Sequence, residues 1–172
     1  MLVPFFHRAG RVYVLVIRRT DRVPTHKGQV AFPGGAAEPE DADLLATALR
    51  EAQEEVGIDP ASVTVLGALR PFDTRVSDFL VSPFCGFLDA ADPTFEGQDF
   101  EVAEMLEVPL DQLRDPGSRR WGLVPGFSLP IPLPYYEVNG IVIWGASGGI
   151  VAELLEALDQ AEARLEPEPA EG

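Results

Sequence analysis

The chain has 172 residues, of which 46% are hydrophobic, and it carries a formal net charge of −15 at pH 7. This length suffices for one domain with a substantial core, and the acidic balance argues against nucleic acid and anionic membranes as partners. No apolar run approaches the roughly 18 residues that span a membrane. A single cysteine, Cys85, excludes an intramolecular disulfide. With no signal-peptide pattern either, we expect a cytoplasmic protein.

The first part of the chain predicts a β-hairpin followed by a basic loop. Residues 2–6 and 11–17 are apolar, rich in β-branched and aromatic side chains, and separated by turn residues. Residues 18–27 are polar and contain Pro24, so we expect a loop there. A short strand over 28–33 should then lead into Gly34 and Gly35.

The next segment predicts a capped amphipathic helix. Asp41 or Asp43 can serve as the N-cap, and acidic residues in the first turn favour the helix dipole. Apolar residues then recur at spacings of three and four over 44–56. Gly57 fits the position at which helices end.

The remaining elements include more strands and a second long helix. We predict strands over 63–69 and 79–87 around a loop over 70–77, and a second loop over 90–98. A strand over 100–109, a short helix over 110–113 and an irregular stretch over 115–134 should follow. A hairpin over 135–144 should then turn at Asn139–Gly140, and a helix should begin at Ala146 or Ser147.

This order of elements predicts an α/β (α+β) fold in which a mixed β-sheet lies between two long helices. We expect one domain over residues 1–165. The tail over 166–172 is acidic and proline-rich, and we expect it to be disordered.

Three glutamates near the end of the first long helix indicate a candidate functional site. Glu51, Glu54 and Glu55 share one helix face, because residues at i, i+3 and i+4 do so. Their mutual repulsion falls if a hard divalent cation lies between them, since Mg²⁺ and Mn²⁺ prefer oxygen ligands. Arg50 should hold one glutamate by a fork-shaped pair. The alternative is a solvated acidic face in which Arg50 pairs with Glu54.

These residues resemble the Nudix box, Gly-x5-Glu-x7-Arg-Glu-U-x-Glu-Glu-x-Gly-U, in which U is a bulky aliphatic residue. The matching residues are Gly35, Arg50, Glu51, Glu54, Glu55, Gly57 and Ile58. Asp41 stands in place of the first glutamate, the gap from it to Arg50 is one residue longer, and Ala52 replaces the first U. The longer gap is similar to that of the coenzyme A pyrophosphatase branch of the family.

The stretch before the box resembles the upstream signature of the same branch. Arg19 and Gly28 match that signature, and Thr20 replaces a serine. Pro24 falls where the branch has a second arginine, so one positive charge is lost there.

The resemblance implies a Nudix αβα sandwich that hydrolyses a diphosphate joined to another moiety, with Mg²⁺ or Mn²⁺ as cofactor. In the coenzyme A branch the products are 3′,5′-ADP and 4′-phosphopantetheine. The residues that the resemblance assigns as catalytic are Glu54, Glu51, Arg50 and Glu101, with Glu104 as the competitor of Glu101. The metal ligands would be Glu51, Glu54, Glu55 and Gly35, and the substrate contacts Arg19, Arg22, Lys27 and Gly34.

Three functions remain open from the sequence. The first is hydrolysis of coenzyme A or its thioesters. The second is a Nudix hydrolase of ADP-ribose, dinucleoside polyphosphates or nucleoside triphosphates, which the loss of charge at Pro24 favours. The third is a catalytically silent nucleotide-binding module. All three imply a small-molecule nucleotide as partner, with no nucleic acid and no membrane, and they leave a homodimer open.

Overall fold

The computed structural model describes residues 1–22, 26–74, 79–90, 92–97, 100–126 and 132–165. The predictions for Pro24 and for the tail over 166–172 lie outside these residues. The described strands are β1 Leu2–Arg8, β2 Arg11–Arg19, β3 Val30–Ala31, β4 Val63–Ala68, β5 Phe72–Thr74, β6 Phe79–Val81, β7 Phe84–Leu88, β8 Val102–Pro109, β9 Arg119–Gly122, β10 Leu133–Val138 and β11 Ile141–Trp144. The described helices are α1 Leu44–Val56, α2 Leu110–Leu113 and α3 Gly145–Leu165.

Strand β2 is the centre of the main sheet. It pairs antiparallel with β8 from Tyr13 to Arg19, so β8 covers one of its edges. Strands β1 and β3 pair with residues 11–14 and 17–18 of β2, at separate places along its length. Both stretches overlap the residues that pair with β8, so β1 and β3 share the other edge of β2. Strand β7 pairs parallel with β1 and antiparallel with β4. The sheet is mixed, as the sequence predicted.

Both faces of strands β1 and β2 are buried. In β1 and β2, side chains alternate between two apolar clusters, as the two-residue period of a strand requires. Leu2, Phe6, Leu15 and Ile17 join Ala48, Ala52 and Val56 of α1 in one cluster. Val3, Phe5, Val14 and Val16 join Ile150, Val151 and Leu154 of α3 in the other. The predicted sheet between two long helices is thereby confirmed.

Helix α1 begins and ends with local capping interactions. The Asp43 carboxylate accepts the amide hydrogen of Ala46 at 2.8 Å, which confirms Asp43 as the N-cap. Gly57 follows the helix with a left-handed φ of 72°. The expected acidic first turn is wrong, because that turn contains no acidic residue. Asp41 lies outside the helix and accepts hydrogen bonds from side chains of α1 instead.

The second half of the chain differs from prediction in two places. The expected strand over 79–87 is two strands in different sheets, β6 and β7, interrupted at Ser82–Pro83. Strand β6 pairs with β5, which lies in the segment that we expected to be a loop. Apolar residues lie on both sides of this break, and the sequence signal for it is Pro83, which has no amide hydrogen to donate to a strand ladder.

The stretch over 115–134 is also more regular than predicted. It contains a 3₁₀ turn and strand β9, which pairs with β10. The predicted hairpin of β10 and β11 is confirmed. Asn139 and Gly140 have φ values of 51° and 79°, as a type I′ turn requires.

The C-terminal helix begins slightly earlier than predicted, at Gly145. Ile150 and Leu154 of the predicted apolar face are fully buried against the sheet. Among the described residues, no helix has the length and hydropathy needed to cross a membrane.

Two glycines on helices should respond oppositely to alanine. Gly57→Ala should lower the free energy of unfolding by about 1 kcal/mol, because a Cβ disfavours the left-handed conformation. Gly149→Ala should raise it by about 0.5 kcal/mol, because Gly149 lies in α3 and its Cβ would make only an ordinary contact with Phe72. Urea denaturation measures both, and equal effects of the two substitutions would contradict these assignments.

Candidate active site

The loop between β3 and α1 lies directly against two glutamates of α1. The Gly34 amide donates to Glu55 Oε2 at 2.8 Å. Gly34 has a φ of 148°, and a Cβ there would lie 2.6 Å from the Met1 Cα. A Cβ on Gly35 would overlap the Glu51 carboxylate. Both positions therefore require glycine for the glutamates and the loop to approach this closely.

Arg50 is held by Asp41, a residue that our sequence-based site did not include. The guanidinium donates from Nε to Asp41 Oδ1 at 3.0 Å and from Nη2 to Asp41 Oδ2 at 3.1 Å. This is the fork-shaped pair that we expected with a glutamate, so the predicted partner was wrong. Nη1 makes single contacts with Glu51 at 3.1 Å and Glu54 at 3.3 Å.

The signal for Asp41 was present in the sequence. Asp41 occupies the place of the first glutamate of the box, where we noted it only as a departure and as a candidate cap. In the structure, hydrogen bonds from Arg50 and from the Glu38 amide hold the pKa of its carboxyl well below its ordinary value. Asp41 is therefore a permanent anion that positions Arg50.

Glu55 is the most buried carboxylate of the group, with 5% of its surface exposed. Burial raises its pKa to about 7, and the charges of Glu51 and Glu101 act in the same direction. The Gly34 amide and Arg19 partly offset this effect. Burial also raises the pKa of Glu51, with Arg50 opposing.

Arg19, at the end of β2, faces the acidic group. Its Nη1 lies 3.8 Å from Glu55 Oε1, and its Nη2 lies 3.7 Å from Glu101 Oε2. Arg18 takes different partners, as expected of successive strand residues, and pairs with Glu104 at 3.0 Å. The structure thus brings Glu101, and not its competitor Glu104, to the glutamates of α1.

Of the other predicted substrate contacts, Gly34 donates to Glu55, whereas Arg22 and Lys27 form no ion pair with the glutamates among the described residues. Arg22 and Lys27 are exposed. Lys27 and Arg18 line a cavity of about 500 Å³ between the basic loop and the β10–β11 hairpin. His26 has a left-handed φ of 59° and its ring contacts the Gln29 side chain at 3.0 Å, which supports a turn role for it.

The chemistry of this group suits a hard divalent cation. The carboxylates that pair with the two guanidinium groups outnumber them six to two, and they belong to Glu38, Asp41, Glu51, Glu54, Glu55 and Glu101. Oxygen ligands of this kind are the ones that Mg²⁺ and Mn²⁺ prefer. Within the described ranges, however, no three acidic, histidine or cysteine side chains are already grouped to hold a metal ion. The carboxylate oxygens present are therefore of the type that a hard divalent cation prefers, and the guanidinium groups of Arg19 and Arg50 lie among them.

Comparison with known proteins assigns the chain to a family. Residues 1–125 match the NUDIX domain. The chain belongs to the Nudix family. The Uncharacterized Nudix hydrolase NudL of Citrobacter koseri is 40% identical over 161 residues, which cover 90% of this chain and 79% of that protein.

Solved structures of Nudix proteins share the fold. A MutT/nudix family protein from Enterococcus faecalis superposes with a TM-score of 0.58 at 15% identity, covering 98% of this chain and 62% of that one. The NUDIX domain of Shewanella oneidensis NrtR, complexed with ADP ribose, superposes with a TM-score of 0.53 at 17% identity. The superposition covers 96% of this chain and 85% of that one. At these identities the likeness concerns the fold alone. The chain is therefore a Nudix hydrolase by family and a Nudix sandwich by fold.

Glu55 should make the stability of the metal-free protein depend on pH. Its pKa of about 7 in the folded state exceeds the value of 4.5 for a free glutamate, so the folded state binds the proton more tightly than the unfolded chain. The free energy of unfolding should therefore fall as pH rises from about 4.5 through 7, on the order of 2 kcal/mol from this group. Glu55→Gln should remove this component and be more stable than wild type at pH 8.

The measurement is urea denaturation in EDTA between pH 5 and pH 8. Glu40→Gln, at an exposed position outside the acidic group, is the control and should follow the wild-type curve. Parallel curves for wild type and Glu55→Gln would show that Glu55 does not carry the raised pKa.

Proposed function

We propose that this Nudix protein is a metal-dependent hydrolase, with residues 1–165 as one domain, that cleaves a nucleoside diphosphate linked to another moiety. The substrate that we propose is coenzyme A or an acyl derivative of it. The observation that carries the proposal is the placement of Glu51 and Glu55 against the Gly34–Gly35 loop. A helix face that concentrates carboxylates against a glycine loop suits a cation and a diphosphate better than it suits a nucleophilic side chain.

The proposed ligands of Mg²⁺ or Mn²⁺ are Glu51, Glu54, Glu55 and the Gly35 carbonyl. When bound, the cation would supply Lewis-acid stabilisation of the diphosphate oxygens. The Gly34 amide would keep Glu55 in place, and Arg50 would orient Glu51 and Glu54 while itself held by Asp41.

Two carboxylates are candidates for accepting the proton of the attacking water. Glu54 and Glu101 have side chains that are 51% and 45% exposed, so each can contact a water molecule from solvent. Glu51 is more enclosed, at 17%, and is better suited to ligation.

The choice of coenzyme A rests on the branch resemblance, which the basic loop supports. Arg22 and Lys27 are exposed, and the structure shows no ion pair for either within the described residues. Cations of this kind can receive the additional phosphate of a nucleoside 3′-phosphate. The expected products are 3′,5′-ADP and 4′-phosphopantetheine or its acyl form.

ADP-ribose is the second candidate substrate. The loss of a basic residue at Pro24 favours a ligand with fewer phosphates, and the NrtR domain of the same fold is complexed with ADP ribose. Dinucleoside polyphosphates and nucleoside triphosphates are further candidate substrates for the same panel.

A substrate panel separates these proposals. With Mg²⁺ or Mn²⁺, we expect kcat/KM for coenzyme A to exceed that for ADP-ribose by about tenfold or more. The reason is that basic side chains which bind the 3′-phosphate of coenzyme A would be left without a partner by ADP-ribose, which weakens transition-state binding. Liquid chromatography of the adenosine nucleotide products is the measurement, with 3′,5′-ADP expected from coenzyme A and AMP from ADP-ribose, and EDTA should abolish the release of both. A higher ranking of ADP-ribose would replace the coenzyme A proposal, and no turnover on any substrate would favour a silent module.

Replacing Glu54 tests the catalytic assignment. Glu54→Gln should lower kcat by about a hundredfold or more, since it removes an anionic ligand or base, and the far-UV circular dichroism should stay unchanged. The matched control is Glu156→Gln, because Glu156 is 53% exposed, like Glu54, and also pairs with one arginine. Equal activity of the two variants would remove Glu54 from the site.

A further inference from the structure

The two arginines of the acidic group are held very differently. Arg50 has five acceptors within 3.3 Å, including both oxygens of Asp41 and the Ala36 carbonyl at 3.2 Å. Arg19 approaches its two carboxylates only to 3.7 and 3.8 Å, which is beyond hydrogen-bond distance. Its Nε is buried and has no acceptor among the residues that the structure describes.

Arg19 nevertheless balances the negative charge of a buried carboxylate. Glu55 is buried, and an unpaired buried carboxylate is strongly destabilising. Within the described residues, Arg19 is the guanidinium that forms an ion pair with Glu55, while Arg50 contacts Glu51 and Glu54. Arg19 thus balances the charge of the buried Glu55 and of the more exposed Glu101 without a hydrogen bond to either.

We propose that Arg19 is an exchangeable counter-cation: it balances Glu55 and Glu101 in the metal-free protein and leaves them when a divalent cation takes its place. The inference rests on the proposed metal site. Arg50 stays where it is, because the Asp41 fork anchors it.

Simple electrostatics favours the exchange. A guanidinium and a divalent cation repel each other, and both are attracted to the same carboxylate oxygens. Arg19 is the guanidinium that moves, because its side chain makes no hydrogen bond with the described part of the chain. The absence of a ready group of three ligands in the described part of the chain agrees with a site that must first release its arginine.

The exchange would also prepare the site for its substrate. Once released, Arg19 presents two Nη groups beside a bound cation, and its unsatisfied donors suit an anionic phosphoanhydride oxygen. Cation binding would therefore create a binding group for the diphosphate, so that the two ligands bind in a coupled way.

The first test observes the arginine directly in the wild-type protein. In ¹⁵N NMR spectra, titration with Mg²⁺ should shift the Arg19 Nε–H signal and accelerate its exchange with water, while the Arg50 Nε–H signal keeps its protection. The Gly34 amide reports cation binding independently, because it donates to Glu55. A shifted Gly34 amide with an unchanged Arg19 signal would overturn the exchange, and no response of either would overturn the metal site as well.

The second test measures Mn²⁺ affinity by electron paramagnetic resonance. Arg19→Gln should bind Mn²⁺ about tenfold more tightly than wild type, because a competing positive charge is gone. Arg18→Gln is the matched control: it removes the same charge from the neighbouring residue, which pairs with Glu104, and should change the affinity by less than about twofold. Unchanged or weaker binding by Arg19→Gln, or equal effects of the two variants, would overturn the proposal.

Discussion

The structure depends on one electrostatic constraint, which is the burial of the Glu55 carboxylate beside other acids. Burying this group is unfavourable unless donors and cations surround it. The Gly34 amide and Arg19 supply them, and these groups come from the loop after β3 and from the end of β2. The position of α1 on the sheet is therefore set by charge as well as by the apolar contacts of Ala48 and Ala52.

The pairing of Asp41 with Arg50 explains how a shorter acid can serve in the box. Aspartate reaches less far than glutamate, and one additional residue separates it from Arg50. A turn closes this difference: the Asp41 amide donates to the Glu38 carbonyl at 3.1 Å, and the Glu38 amide donates to the Asp41 carboxylate at 2.9 Å. The added residue and the shorter side chain are therefore compatible changes.

Much of the fold could be predicted because local patterns encode it. The N-cap of α1, Gly57 and the Asn139–Gly140 turn depend on backbone conformations that few residues favour. The separation of β6 and β7 into different sheets could not be predicted, because it depends on which partner strands each half joins. Likewise, spacing placed Glu51 and Glu55 on one face, but only tertiary structure could show that Arg19 faces them.

The hydrogen bond from the Gly34 amide to Glu55 has a consequence for the dynamics of α1. The helix is fastened at its C-terminal end by the Gly34 amide, by the Glu96 amide on the Val56 carbonyl and by the Gly57 cap, whereas Leu44 at its start is 47% exposed. Local unfolding begins where buried contacts are fewest. Fraying of α1 should therefore start at its first turn, and the carboxylate-bearing turns should be the last part of the helix to lose order.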